Sequence, residues 1–138
     1  MADTTAVVLV DPYNDFLHPK GKLNGAIADS MQKTDTIKHL HSLIKAARSH
    51  KIPLFYCLHQ QTNANSFKGW TMMNRSLTRL RDFKAFEEGS WGVQYYEGMD
   101  PDANNGDVVV SKHWNSRYER HTSCCGGTKC SRNLHRWT

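Results

Sequence analysis

The sequence closes with HTSCCGGTKCSRNLHRWT, in which Cys124, Cys125 and Cys130 lie between His121 and His135. Thiolates and imidazoles are the usual ligands of zinc, a thiolate is also a strong nucleophile, and paired thiols close disulfides, so this stretch is open to three chemistries. As zinc ligands His121, Cys125, Cys130 and His135 would be separated by three, four and four residues, a spacing that matches no standard knuckle and has no hairpin behind it. Two other candidates precede it: Asp11 directly follows the apolar run AVVLV, and Lys112 follows VVVS. In an open parallel sheet ligands bind beyond the carboxyl ends of the strands, so both side chains would reach one crevice. A lysine facing a carboxylate there could hold it in place as a general base. Taken singly, each has a blander reading: an Asp that starts a turn, and a strand-end Lys in water.

The elements that must position these groups follow an α/β rhythm. Ala6–Val10 is a continuous branched run ended by DPYND, which predicts a buried strand and a turn. The loop FLHPKGKLNG follows, broken by Pro19, Gly21 and Gly25. Ile37, Leu40, Ile44 and Ala47 recur at helical spacing, predicting one core-facing helix from about Met31 to His50. Pro53 stands near the start of a second strand, Ile52 to Leu58, where a missing N–H is tolerated. Met73, Leu77 and Leu80 predict a second helix between Thr71 and Arg81, flanked by Trp70, Phe83 and Phe86, for which a core role is expected. DVVVSKHW reads as the third strand. Strands alternating with helices imply parallel pairing and right-handed crossovers.

Charge separates the chain into two parts. Residues 1–115 carry 13 basic and 12 acidic side chains, a net of +1, whereas residues 116–138 carry five and one, a net of +4. The basic character belongs to the last segment, so nucleic acid is not the expected partner of the folded part. No charged leader precedes the five-residue apolar run at the N-terminus, and no run is long enough to span a membrane. These features predict a cytoplasmic protein without a membrane partner, whose four cysteines are thiols or ligands rather than disulfides.

VVLVDPYNDFLHPKGKL, then LFYCLHQQ, then FEEGSWGVQYYEGMDPDANNGDVVVSKHWNS, in that order, resemble the isochorismatase-like hydrolases, a family that includes nicotinamidases, over roughly residues 5–116. The resemblance implies a Rossmann-like three-layer α/β/α fold with a parallel sheet in the order 3-2-1-4-5-6. It also implies a catalytic Asp closing the first strand, here Asp11, a catalytic Lys closing the third, here Lys112, and a nucleophilic Cys after the fourth. Phe16 and Trp91 resemble pocket-lining positions where a flat small-molecule substrate could stack. Asp15 is expected to shape the turn. Nicotinamidases hold a metal through an Asp-x-His after the second strand, which here is Cys57-Leu58-His59. Only His59 matches, leaving it as a polar pocket residue; neither metal nor cofactor is expected.

After Ser116 the resemblance stops. Leu134 is the only aliphatic residue from Arg117 onward, and Cys124 and Cys125 follow Lys112 too closely for an intervening helix and strand. The expectation is an isochorismatase-like domain over 1–116, incomplete at strands 1–3 in the order 3-2-1. Residues 117–138 would be an unrelated, disordered tail of the kind a frame or splice change produces. The first strand would then keep an unpaired edge through which copies of the chain could associate. Two functions are compatible with this sequence. One is a hydrolase scaffold for a small amide or related substrate, truncated and inactive, or one that cleaves an enol ether through the Asp without a cysteine. The other is a non-catalytic interaction protein whose basic tail contacts an acidic partner or nucleic acid.

Overall fold

The computed structural model describes residues 5–112. Three parallel strands form one sheet in the order β1-β2-β3: β1 is Val7–Val10, β2 is Leu54–Leu58 and β3 is Val108–Ser111. The expected order 3-2-1 is the same sheet seen from its other edge. Val7 to Val10 stand opposite Leu54 to Cys57, and Val108 to Ser111 stand opposite Phe55 to Leu58. Val10 and Val110 therefore face Cys57 from its two sides, which brings the carboxyl ends of all three strands level.

Side chains alternate across the sheet. Leu9, Leu54, Tyr56 and Leu58 point into one core with Tyr13, Ile44, Ala47, Leu80, Ala85 and Phe86. On the other face Val8, Val10, Val108 and Val110 are each at least 40% exposed, and Val109 on the core side of the edge strand β3 is 49% exposed, so among the described residues the core covers one face of β1 and β2 only. The boundary between domain and tail expected at Ser116 lies outside the described residues, as do Cys124, Cys125 and Cys130.

The single helix expected from Met31 to His50 is two. α2 (Ala28–Lys33) ends before Asp35, which takes the left-handed conformation at φ 46°, and α3 (Thr36–Ser49) restarts behind it. The periodic apolar residues Ile37, Leu40, Ile44 and Ala47 all belong to α3, so the spacing marked the buried face while the start was set by the backbone reversal. α4 (Arg75–Asp82) begins at Asn74, whose side-chain oxygen accepts the Leu77 N–H at 2.9 Å, an N-cap that satisfies a free helix donor. Of the aromatics flanking α4, Phe86 is fully buried, whereas Trp70 and Phe83 are 39% and 52% exposed. The core role expected for all three holds for Phe86 only.

A short helix, α1 (Asn14–Leu17), follows β1 and is fixed by Asp15, which is 1% exposed. The Asp15 carboxylate accepts the Phe86 N–H at 2.7 Å and the Lys22 N–H at 3.3 Å, joining three separate segments. This is the structural role anticipated for Asp15. Gly92 lies against the same carboxylate so closely that a Cβ there would overlap it.

Asp107 anchors the start of β3. It accepts from Leu54 N at 3.1 Å, Asp102 N at 2.9 Å, Asn105 Nδ2 at 2.8 Å and Arg48 Nη2 at 3.3 Å. Burial alone would raise its carboxyl, but these four donors outweigh burial and hold it below the ordinary carboxylate range.

Candidate active site

Asp11 is the residue after β1 and Lys112 the residue after β3, and each continues the ladder to β2. The Asp11 N–H donates to Cys57 O at 3.2 Å, and the Lys112 N–H donates to Leu58 O at 2.6 Å. Because β2 runs between them, the two backbones are separated by two strand spacings, about 10 Å. Only a long side chain can close that gap. Lys112 Nζ does so, donating to Asp11 Oδ2 at 2.6 Å, with the two side chains 8% and 12% exposed. Asp11 has φ 52°, a left-handed conformation that Asp and Asn enter more readily than other non-glycine residues. The conformation turns the chain out of the sheet, and the Tyr13 N–H then donates to Asp11 O at 2.7 Å. Asp11 Oδ1 is buried and has no hydrogen-bond partner among the described residues.

The pair lies in a cleft of about 710 Å³. Phe16, Leu23, Ile27 and Phe86 supply its apolar lining, His59 lies beside them, and Arg75, Ser76 and Arg79 of α4 line another part. Phe86 holds the aromatic part together. Its ring centroid is 5.2 Å from Phe16, 5.6 Å from Tyr13 and 4.8 Å from His59, the last in a stacked arrangement. Its backbone is left-handed at φ 57°, which is strained for a bulky residue. The carboxylate of Asp15 on its N–H and the Thr62 N–H on its carbonyl, at 2.7 Å each, hold it there.

His59 is 4% exposed, and its Nδ1 stands 2.8 Å from Gln60 O. The Tyr13 hydroxyl, 3.4 Å from His59 O, is pushed up to about 12 by burial first of all. At neutral pH it is therefore a donor and not a base. Among the described residues no group of three or more His, Cys, Asp or Glu side chains is placed to hold a metal ion. With a single imidazole whose Nδ1 already faces a carbonyl, the residues after β2 do not fit the metal site of the nicotinamidases.

Four of the five residues singled out from sequence, Asp11, Lys112, Phe16 and His59, line this cleft. Trp91 does not. It sits in a short 3-10 turn, Trp91–Val93, 45% exposed with its ring edge-on to His18 at 4.8 Å. The turn is held by Asn14 Nδ2 donating to Trp91 O at 3.2 Å and by Asp15 against Gly92, and Trp91 is not part of the cleft lining. Sequence reasoning missed Arg75, Ser76 and Arg79. Their only signal was a pair of arginines four apart on the polar side of an amphipathic helix, which ordinarily marks a solvated face. Cys57, the one cysteine described, is half-buried in β2 and is not part of the cleft lining.

The family model described as the isochorismatase domain matches residues 5–123, and the chain belongs to that family. The match continues past Ser116, where the motif resemblance ended. Among solved structures, a cysteine hydrolase from Pseudomonas syringae pv. phaseolicola 1448A is similar, at 21% identity and a TM-score of 0.48. The similarity covers 78% of this chain and 46% of that one, so the chain spans about half the length of that hydrolase. No curated protein matches. Among the described residues, no helix is long and apolar enough to cross a membrane.

Proposed function

We propose that the cleft is the acid–base half of a cysteine-hydrolase site for a small amide or related carbonyl substrate. The observation that carries this reading is the pairing of Asp11: Oδ2 is held by Lys112, while Oδ1 is buried and, among the described residues, has no partner. In the full reaction a thiol gives its proton to Asp11, its sulfur attacks the substrate carbonyl, and backbone N–H groups beside the cysteine stabilise the oxyanion. The proton then passes to the departing amine, and water hydrolyses the thioester. Lys112 fixes the Asp11 carboxylate for this exchange.

The described residues supply the Asp and Lys parts and place no thiol in the cleft lining, and on that basis we infer that the chain does not turn over amides. A thiol must be held within attack distance, since positioning contributes several kcal/mol of the barrier reduction.

The test is an assay of the 138-residue chain against nicotinamide, other small amides and isochorismate. Beside it runs a chimera in which the residues after Ser116 are replaced by the matching half of a family hydrolase. No turnover is expected from the chain alone. Turnover is expected from the chimera, falling by about 10²–10⁴-fold in Asp11→Asn. Turnover by the natural chain that vanishes in Asp11→Asn would overturn the claim of inactivity, and a chimera indifferent to Asp11→Asn would overturn the role of the carboxylate.

A further inference from the structure

The charges lining the cleft do not balance. Asp11 and Lys112 pair at 2.6 Å, and among the described residues Arg75 and Arg79, both solvent-exposed at the rim, are the lining charges without an acidic partner. Four residues apart on α4, they share one face of the helix, where like charges repel. Arg81, on the same helix, is paired with Asp82 at 2.9 Å. Neither Arg75 nor Arg79 has an acidic side chain within ion-pair distance among the described residues. Two guanidinium groups beside an aromatic lining are suited to a ligand with an apolar body and an anionic end. Guanidinium is the side chain whose planar fork matches a carboxylate in two parallel hydrogen bonds.

Resting on the hydrolase reading above, we propose that the substrate is a carboxylate-bearing amide. Its carboxylate is held by Arg75 and Arg79, its body lies against Phe16 and Phe86, and its carbonyl is presented to the Asp11 end of the cleft. The arginines act as specificity determinants. They discriminate a charged amide from its neutral counterpart and take no part in proton transfer.

The experiment measures binding to the 138-residue chain by calorimetry at low salt, with no turnover required. The probes are 4-carbamoylbenzoate and its neutral isostere terephthalamide, which differ only in the carboxylate. The carboxylate probe is expected to bind about tenfold tighter or more, the usual worth of hydrogen bonds to a charged group. The preference should disappear in Arg75→Gln/Arg79→Gln and persist in Arg81→Gln, which removes a charge from the same helix outside the cleft lining. Equal affinity for the two probes, binding of neither, or a preference that survives the double substitution would overturn the proposal. Failure of the hydrolase reading shows elsewhere, as a chimera indifferent to Asp11→Asn, whereas the carboxylate preference is read without catalysis.

Discussion

Removing one member of the Asp11–Lys112 pair should cost far more than removing a surface charge. The charged atoms are 2.6 Å apart and the side chains only 8% and 12% exposed. At an effective dielectric of about 20 such a pair attracts by roughly 6 kcal/mol before desolvation is counted. Desolvation offsets much of that, and truncating one side of a buried pair typically costs about 3–5 kcal/mol because the other charge is left uncompensated. The small residual exposure places Lys112→Met near the lower end, at about 3 kcal/mol. Asp11→Asn is the matching substitution, since Asn also tolerates the left-handed backbone at φ 52° and so removes charge without adding strain. Urea unfolding followed by circular dichroism of the two single variants and the double variant gives the coupling directly. A coupling of about 2 kcal/mol is expected, with the double variant more stable than the sum of the singles implies. Additivity within about 0.5 kcal/mol would refute the reasoning, because it would mean that the two groups do not interact in solution.

The Asp107 carboxyl is held below its unfolded value, so it contributes stability that is present above the unfolded pKa and lost as pH falls through the folded one. The melting temperature of the chain should therefore drop more steeply on acidification than that of Asp107→Asn, and parallel profiles would contradict the assignment. Gly92→Ala should destabilise by about 2 kcal/mol through overlap with the Asp15 carboxylate. A chemical-denaturation midpoint unchanged from the parent would show that Asp15 can move away at little cost.

What the sequence determined about this protein was carried by local patterns. A branched apolar run closed by Asp11, and another closed by Lys112, placed both residues at strand ends, and a parallel sheet then puts such ends together. Their meeting was legible for that reason, and so was the buried face of α3. Only the tertiary structure decided which side chains share the cleft with them. Lys112 reaches Asp11 across β2 because the register makes Val10 and Val110 level with Cys57. Arg75 and Arg79 line the cleft because the chain after α4 reverses through Phe86, whose N–H is caught by Asp15, 71 residues earlier in the sequence. Trp91 lies outside it, in a turn held by Asn14, 77 residues away. Strand ends follow from periodicity within a few residues. The direction of a loop side chain follows from hydrogen bonds between distant segments, and these leave no periodic mark in the sequence.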